Sequence, residues 1–290
     1  MKTKKTFLIT GVGGFVGFNI AKYYSKYFNI VGTYRKQKPK IKNIRLIKID
    51  LSKKKLSTFL EKNKLNIDTI IHCSSKTPVS KYKTKNIYTN NVLQMKNILN
   101  INQNFKKFIF LSTMSVYGQI NKKFVKESYK GASINSYGLS KLKCEEMLKK
   151  FTKKNKISSY VFRLPGVVGK FSHSNFMSIA MKKIKQNKKL ELFNPSSKFN
   201  NLVHVNFLIK YIDYAINKKN YFSIFNIAGI IPLKLSKIIN ILCKNYKYNK
   251  KIIWKQNKNN TFCINVTKAE KFGFKLRSTK ENINEFVKKN

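Results

Sequence analysis

The 290-residue chain, 42% hydrophobic, is long enough to bury one large α/β core or two closely connected ones, and it has no apolar run near the roughly eighteen residues of a membrane helix. Lysine and arginine total 61 against 11 acids, a net charge of +50. The arginines are only Arg35, Arg45, Arg163 and Arg277, and the lysines run from end to end, so the guanidinium-rich stripe of a specific nucleic-acid reader is missing. The charge reads as compositional drift, with a field that draws anionic cofactors and nucleotide substrates. Cys73, Cys144, Cys243 and Cys263 are too scattered for a zinc site or a disulfide framework, and no metal is expected.

The opening MKTKKTFLITGVGGFVG mimics a signal peptide, but Gly11, Gly13 and Gly14 interrupt its apolar run, which reads instead as a buried first strand, Thr6 to Thr10. A cytoplasmic protein without membrane insertion is expected. A glycine turn and a helical pattern from Phe15 to about Tyr27 follow. Strand, glycine turn and helix, with Gly11, Gly14 and Gly17 in GxxGxxG spacing, suit a pyrophosphate against a helix N-terminus. Phe15 and Val16, in the first helical turn, join them as expected cofactor contacts.

The second strand, Ile30 to Tyr34, closes at Arg35 and Lys36, where a dinucleotide fold ordinarily offers a carboxylate to the adenosine ribose. A cation there favours a 2′-phosphate, so NADP(H) is expected over NAD(H). A third strand, Ile44 to Ile49, leads to Asp50-Leu51, and a fourth, Thr69 to His72, ends in Cys73-Ser74-Ser75, small residues against which a ligand can lie. His72 reads as a packed strand-end residue. A helix from about Lys85 to Asn102 precedes a fifth strand, Phe108 to Leu111, which runs into Ser112-Thr113-Met114-Ser115-Val116-Tyr117-Gly118. The Thr113 hydroxyl either bonds a substrate oxygen or caps the next turn.

Tyr137-Gly138-Leu139-Ser140-Lys141 places a phenol and an ammonium four residues apart, on one face of a helix spanning about 136 to 151. A free phenol titrates near pH ~10, and a fixed cation beside it favours the ionised form, so such a pair makes a proton relay. Further on, Asn175 to about Lys188 reads as a helix, Leu190 to Phe193 as a short strand and Leu233 to Asn245 as another helix.

GVGGFVG, Asp50-Leu51, the STMSVYG run, YGLSK and Arg163-Leu164-Pro165-Gly166-Val167-Val168-Gly169 resemble, in order and spacing, the extended short-chain dehydrogenase/reductase family. More narrowly they resemble its NAD-dependent epimerase/dehydratase branch, which acts mostly on nucleotide-activated sugars. Asn201-Leu202-Val203-His204-Val205-Asn206 and Phe225-Asn226-Ile227-Ala228-Gly229 are similar to later markers of that family, although Asn201 and Asn206 stand where it usually carries acids.

The resemblance implies a Rossmann-type doubly wound parallel sheet with a smaller α/β substrate lobe. Residues 1–165 plus about 203–228 would bind the dinucleotide, and 166–202 plus about 229–290 the substrate. Thr113, Tyr137 and Lys141 would be catalytic. Gly11, Gly14, Gly17, Asp50, Leu51, Ser74, Tyr137, Lys141 and Pro165 would meet the cofactor, and Ser115, His173 and Asn175 the substrate. A homodimer pairing the helices around 85–102 and 136–151 is expected. The reaction implied is hydride transfer on a nucleotide sugar: the basic residue at the ribose site and the short chain point to reduction of a keto-sugar, with epimerisation at the same site as the alternative. Dehydration is disfavoured because Met114-Ser115 stand where 4,6-dehydratases carry an acidic pair. A non-catalytic RNA-binding protein on the same fold is the competing reading, and a retained Thr113, Tyr137 and Lys141 argues against it.

Overall fold

The computed structural model describes residues 4–78, 86–101, 104–257 and 261–288. The chain forms two compact units. The first is Met1–Gly118, Ser133–Arg163 and Ile212–Ile224; the second is Gln119–Ala132, Leu164–Tyr211 and Phe225–Asn290.

The first unit begins with β1 (Thr6–Thr10), whose TFLIT sequence is buried after its first residue, as a central parallel strand covered on both faces must be. It continues through α1 (Phe15–Tyr24), β2 (Asn29–Tyr34), β3 (Arg45–Lys48), α2 (Leu56–Lys62), β4 (Thr69–His72), α3 (Ile87–Leu99), β5 (Lys107–Thr113) and α4 (Ser136–Asn155). The strands Ser158–Leu164 and Phe222–Asn226 complete a seven-stranded sheet. Its order is β3-β2-β1-β4-β5, then Ser158–Leu164 and Phe222–Asn226. In register, Leu8 lies beside Val31 on one side and Ile70 on the other, both pairings parallel. This is the Rossmann-type doubly wound order, with its switch point between β1 and β4, where ligands meet the carboxyl ends of the strands. Leu8, Ile70, Phe108, Phe110, Met95 and Leu148 belong to the core under the helices.

Several elements depart from the periodicity. The first helix stops at Tyr24 rather than about Tyr27. The amides of Tyr27 and Phe28 both turn back to the Tyr24 carbonyl, and the Phe28 ring stacks on Phe7 with centroids 4.2 Å apart, which draws the chain out of the helix. Strand β5 runs on to Thr113, two residues past the expected end. Helix α4 reaches Asn155 before Lys156 closes it in the left-handed region at φ 51°. The helix expected from Lys85 to Asn102 spans Ile87–Leu99, and both of its expected end residues lie outside the described residues. In the second unit Leu233–Lys234 pairs antiparallel with Lys198–Phe199 instead of opening the helix, which begins at Leu235.

That second unit is held by short strand pairs and an apolar centre. Gly166–Val168 runs parallel to Leu202–His204, and Leu190–Phe193 parallel to Ile252–Lys255. Met177, Met181 and Ile184 of the helix Phe176–Lys185 pack with Leu190, Ile238 and Phe286. Its polar keystone is Asn200, 2% exposed. The Asn200 amide donates to the carbonyls of Gly229 and Ile264, at 3.0 and 2.9 Å, and accepts from the Ile264 N–H at 2.8 Å. Asn200→Ala strands three buried backbone groups, each worth about 1–3 kcal/mol when unmet. The melting temperature should fall by roughly 2–4 °C per kcal/mol lost; a thermal scan of the variant matching the wild type would show that water or a local shift replaces these bonds.

Candidate active site

The glycine turn is built by close approach. Gly11 sits at φ +73°, and a Cβ there would lie 2.8 Å from the Ser74 Cα, so β1 and β4 leave no room for a side chain between their carboxyl ends. A Cβ on Gly17 would overlap the Gly11 carbonyl, which is how α1 packs down onto the turn. Gly14 is the N-cap of α1, with Phe15 and Val16 in its first turn, so their unpaired N–H groups and the helix dipole suit an anion.

A cavity of about 350 Å³ opens beside this turn. Gly11, Gly13, Gly14, Arg35, Lys36, Asp50, Leu51 and Ser74 line it. These include most of the residues that the sequence assigns to the cofactor. Thr10 fixes the cavity's inner wall: its hydroxyl oxygen accepts from the backbone N–H groups of Cys73 and Ser74, both at 3.1 Å. With those acceptor positions filled, the hydroxyl hydrogen goes to His72 Nδ1 at 2.7 Å. His72 is therefore the neutral Nε2–H tautomer, stacked on Phe110 with centroids 5.5 Å apart. Burial, with the Lys141 ammonium adding to it, holds its pKa well below the ordinary histidine value, so it is a structural strand-end residue. Burial also pushes the Cys73 thiol up to about 12, far from a reactive thiolate.

At the ribose end, the Arg35 guanidinium is 4.0 Å from the Asp50 carboxylate, and its side chain is 51% exposed. So long and wet a contact is worth little, and the guanidinium is able to turn to another anion. Asp50 is held elsewhere, accepting from the Ser52 N–H at 3.0 Å and the Ser52 hydroxyl at 2.6 Å. Partial burial works to raise this carboxyl, but the Ser52 donors and Arg35 outweigh it and keep it below the usual carboxylate range.

The second cluster lies where β5 meets α4. Thr113, partly exposed, ends β5; its hydroxyl accepts from the Ser115 N–H at 3.2 Å and donates to the Ser115 hydroxyl at 3.3 Å, capping the short 3₁₀ turn Met114–Tyr117. Both bonds are near the long end of the normal range. From α4, Lys141 is buried, its Nζ donating to the Leu111 carbonyl at 2.9 Å and standing 5.9 Å from the Tyr137 ring centroid and 4.7 Å from that of Phe110. One of the three ammonium donors is thus used by β5. Asn91 of α3 braces the same helix, donating to the Ser140 hydroxyl at 2.9 Å while its carbonyl accepts from the Lys76 N–H at 2.8 Å.

Residues expected to meet the substrate divide between the units. Ser115 belongs to the first unit, and His173 and Asn175 to the second, as does Pro165, expected at the cofactor. His173 is exposed, and its Nδ1 lies 3.2 Å from the Phe171 carbonyl. Asn175 caps the helix Phe176–Lys185: its carbonyl accepts from the Ser178 N–H at 2.9 Å and its amide donates to the Val167 carbonyl at 3.0 Å. Both ends of its amide are engaged, so it shapes the loop before that helix. Among the described residues no group of three or more His, Cys, Asp or Glu side chains could hold a metal.

Two features escaped the sequence. One is Gly138, where a Cβ would overlap the Ser115 carbonyl and lie 2.7 Å from the Ile134 Cγ2; it is the point at which α4 touches the turn after Thr113. A helical glycine directly after the tyrosine was the available signal. The other is a buried polar cluster of Ser112, Tyr117, Glu145 and Arg163 beneath the same turn.

The sheet order, the glycine turn over a helix N-terminus and a Tyr/Lys helix facing a hydroxyl-bearing strand end define a short-chain dehydrogenase/reductase enzyme. The profile of the NAD dependent epimerase/dehydratase family matches residues 7–228, and the chain belongs to that family. It is 27% identical, over 238 residues, to the ADP-L-glycero-D-manno-heptose-6-epimerase of Brachyspira hyodysenteriae, a match covering 76% of this chain and 74% of that one. Among solved structures it resembles the UDP-glucose 4-epimerase of Thermotoga maritima, determined with UDP-glucose, at TM-score 0.80 and 18% identity over 98% of this chain and 97% of that one. It also resembles the Bacillus cereus UDP-glucuronic acid 4-epimerase in complex with NAD, at TM-score 0.81 and 20% identity over 98% and 95%. Among the described residues no helix is long and apolar enough to cross a membrane.

Gly138→Ala should force α4 off the turn and cost about 1–3 kcal/mol, as overpacking does. A calorimetric scan in which that variant melts with the wild type would show that the helix has room to give.

Proposed function

We propose that this enzyme transfers hydride between a nicotinamide dinucleotide and a sugar carbon of a nucleotide-activated sugar. The observation that carries the reading is the approach of Gly138 to the Ser115 carbonyl, which brings the helix bearing Tyr137 and Lys141 down onto the turn bearing Thr113 and Ser115, in the unit that also holds the glycine-lined cavity. The cavity fits a dinucleotide: Gly11 and Gly17 leave backbone where side chains would block a pyrophosphate, and the α1 N-terminus supplies donors. Bound there, the nicotinamide would give or take the hydride.

The chain's own groups do the rest. Tyr137 moves the proton of the sugar hydroxyl as hydride leaves or arrives at its carbon, and Lys141 stabilises charge developing on the phenol oxygen. Thr113 and Ser115 turn their hydroxyls to the same sugar oxygen, since neither is bound tightly to the other. We assign residues 1–165 plus about 203–228 to the cofactor and 166–202 plus about 229–290 to the substrate, with Pro165 beside the nicotinamide and His173 at the sugar. Exposed Tyr88 and Leu93 on α3 and Leu139 on α4 support a homodimer through those helices.

Net reduction of a keto-sugar and epimerisation use the same groups. The epimerase names of the relatives favour the second, and the basic pair at the ribose favours the first. Supplying the purified enzyme with NADPH and keto-sugar nucleotides, and separately with catalytic NAD and UDP-hexoses, distinguishes stoichiometric cofactor consumption from sugar interconversion. Neither occurring across such panels would count against the reading. Tyr137→Phe should lower kcat by ~10²-fold or more with little change in cofactor affinity, and wild-type turnover in it would sink the mechanism. Thr113→Val should lower kcat by a smaller factor, because it removes one hydrogen bond made mainly in the transition state; a change confined to KM would make Thr113 a binding residue only.

Cofactor choice follows from Arg35 and Lys36. NADPH should bind roughly ten- to a hundredfold tighter than NADH, the worth of one charge-assisted hydrogen bond. The surrounding lysine field favours the more highly charged cofactor as well, but it is screened within ~10 Å at 0.1 M ionic strength. Titrations at moderate salt should keep the preference in the wild type and lose most of it in Arg35→Asp. Equal affinities in the wild type, or an unchanged ratio in the variant, would overturn the assignment.

A further inference from the structure

We infer that the buried Glu145–Arg163 pair is a positioning device that sets the hydroxyls of Thr113 and Ser115 against Tyr137. Glu145 lies on α4 one turn beyond Lys141 and two beyond Tyr137, so the three share a helical face. Its Oε1 accepts from the Ser112 hydroxyl at 2.5 Å and from Arg163 Nε at 3.1 Å, and its Oε2 from an Arg163 terminal nitrogen at 2.7 Å. The other terminal nitrogen donates to the Tyr117 hydroxyl at 3.0 Å, and the guanidinium carbon stands 5.0 Å from the Tyr117 ring centroid. Both charged side chains are more than nine-tenths buried.

These bonds reach both ends of the segment that carries the reactive hydroxyls. Ser112 immediately precedes Thr113, and Tyr117 closes the 3₁₀ turn that begins at Met114. The segment is therefore tied to one rigid group at its two ends, while Lys141 holds Leu111 from the same helix. A bidentate guanidinium–carboxylate pair fixes direction as well as distance. Stability alone does not call for it, since a buried ion pair is often matched or bettered by apolar residues of similar volume. Its distinguishing property is directional anchoring of the segment's ends, which an apolar cluster lacks.

The kinetic arm of the test rests on the hydride-transfer reading, and the exchange arm does not. Glu145→Leu/Arg163→Met removes both charges together and leaves no unpaired buried ion, whereas Glu145→Gln alone strands the guanidinium and is expected to melt earlier. In the double variant, with melting close to wild type, amide exchange at Ser115 and Gly118 should accelerate by about tenfold or more. In the same protein kcat should fall by about tenfold or more while KM changes by less than about threefold, the pattern of misplaced reacting groups. A well-folded double variant with wild-type exchange at those amides overturns the inference whatever the kinetics. Faster exchange with wild-type kcat overturns it too, by showing that the anchored geometry is irrelevant to turnover. Wild-type enzyme that turns over no sugar nucleotide counts against the hydride-transfer reading, and exchange then decides whether the pair holds the turn.

Discussion

The approach of one backbone to another at Gly138 is the constraint on which the site rests. Helix α4 carries the phenol and the ammonium, β5 carries the hydroxyls, and the two can share a reacting atom only if the helix comes down onto the turn after Thr113. No side chain other than hydrogen permits that descent, because the position a Cβ would take is filled by the Ser115 carbonyl. Once the backbones touch, the remaining contacts are short-range. Asn135 caps the helix by accepting from the Gly138 N–H at 2.9 Å, and Asn91 reaches Ser140 from the neighbouring helix. The glycine turn after β1, at the same carboxyl edge of the sheet, repeats the device, with Gly11 against Ser74 and Gly17 against Gly11. Both halves of the proposed active site are thus places where the main chain is brought close enough to act as wall or donor.

Much of this was legible in the sequence because it depends on local periods and on small residues. The order of β1, the glycine turn and α1, the Tyr/Lys spacing and the place of Thr113 just beyond an apolar strand run each follow from residues a few positions apart. Strand β4 could be bounded at Thr69 and His72 because a fully apolar core run meets small polar residues there. What could not be read were bonds between residues far apart in the chain. Arg163 was visible only as the start of a motif, and nothing near it in sequence shows that its partner is Glu145 or that the pair reaches Ser112 and Tyr117. The end of α1 at Tyr24 was set by Phe28 finding Phe7, again a tertiary contact. For Asn175 the sequence showed the loop position, but not that its amide bonds Val167 and Ser178 and so holds the helix that follows.

The distribution of acids has a consequence for how this chain achieves specificity. With 61 cations to 11 acids, opposite charge alone carries almost no address, because a carboxylate finds a lysine wherever it falls. The exposed examples behave so: Glu146 meets both Lys143 and Lys150, and Glu191 meets Lys255. Glu145 pairs with Arg163, but three other carboxylates that join distant parts of a unit accept from neutral donors. Asp68 accepts from the Thr6 N–H, Glu127 from the Asn226 N–H, and Glu285 from the Asn206 amide. Such donors are fixed by the backbone or by short side chains, so they select one orientation where a lysine would accept many. In a molecule saturated with one sign of charge, hydrogen-bond direction supplies at these three carboxylates a selectivity that opposite charge alone would not.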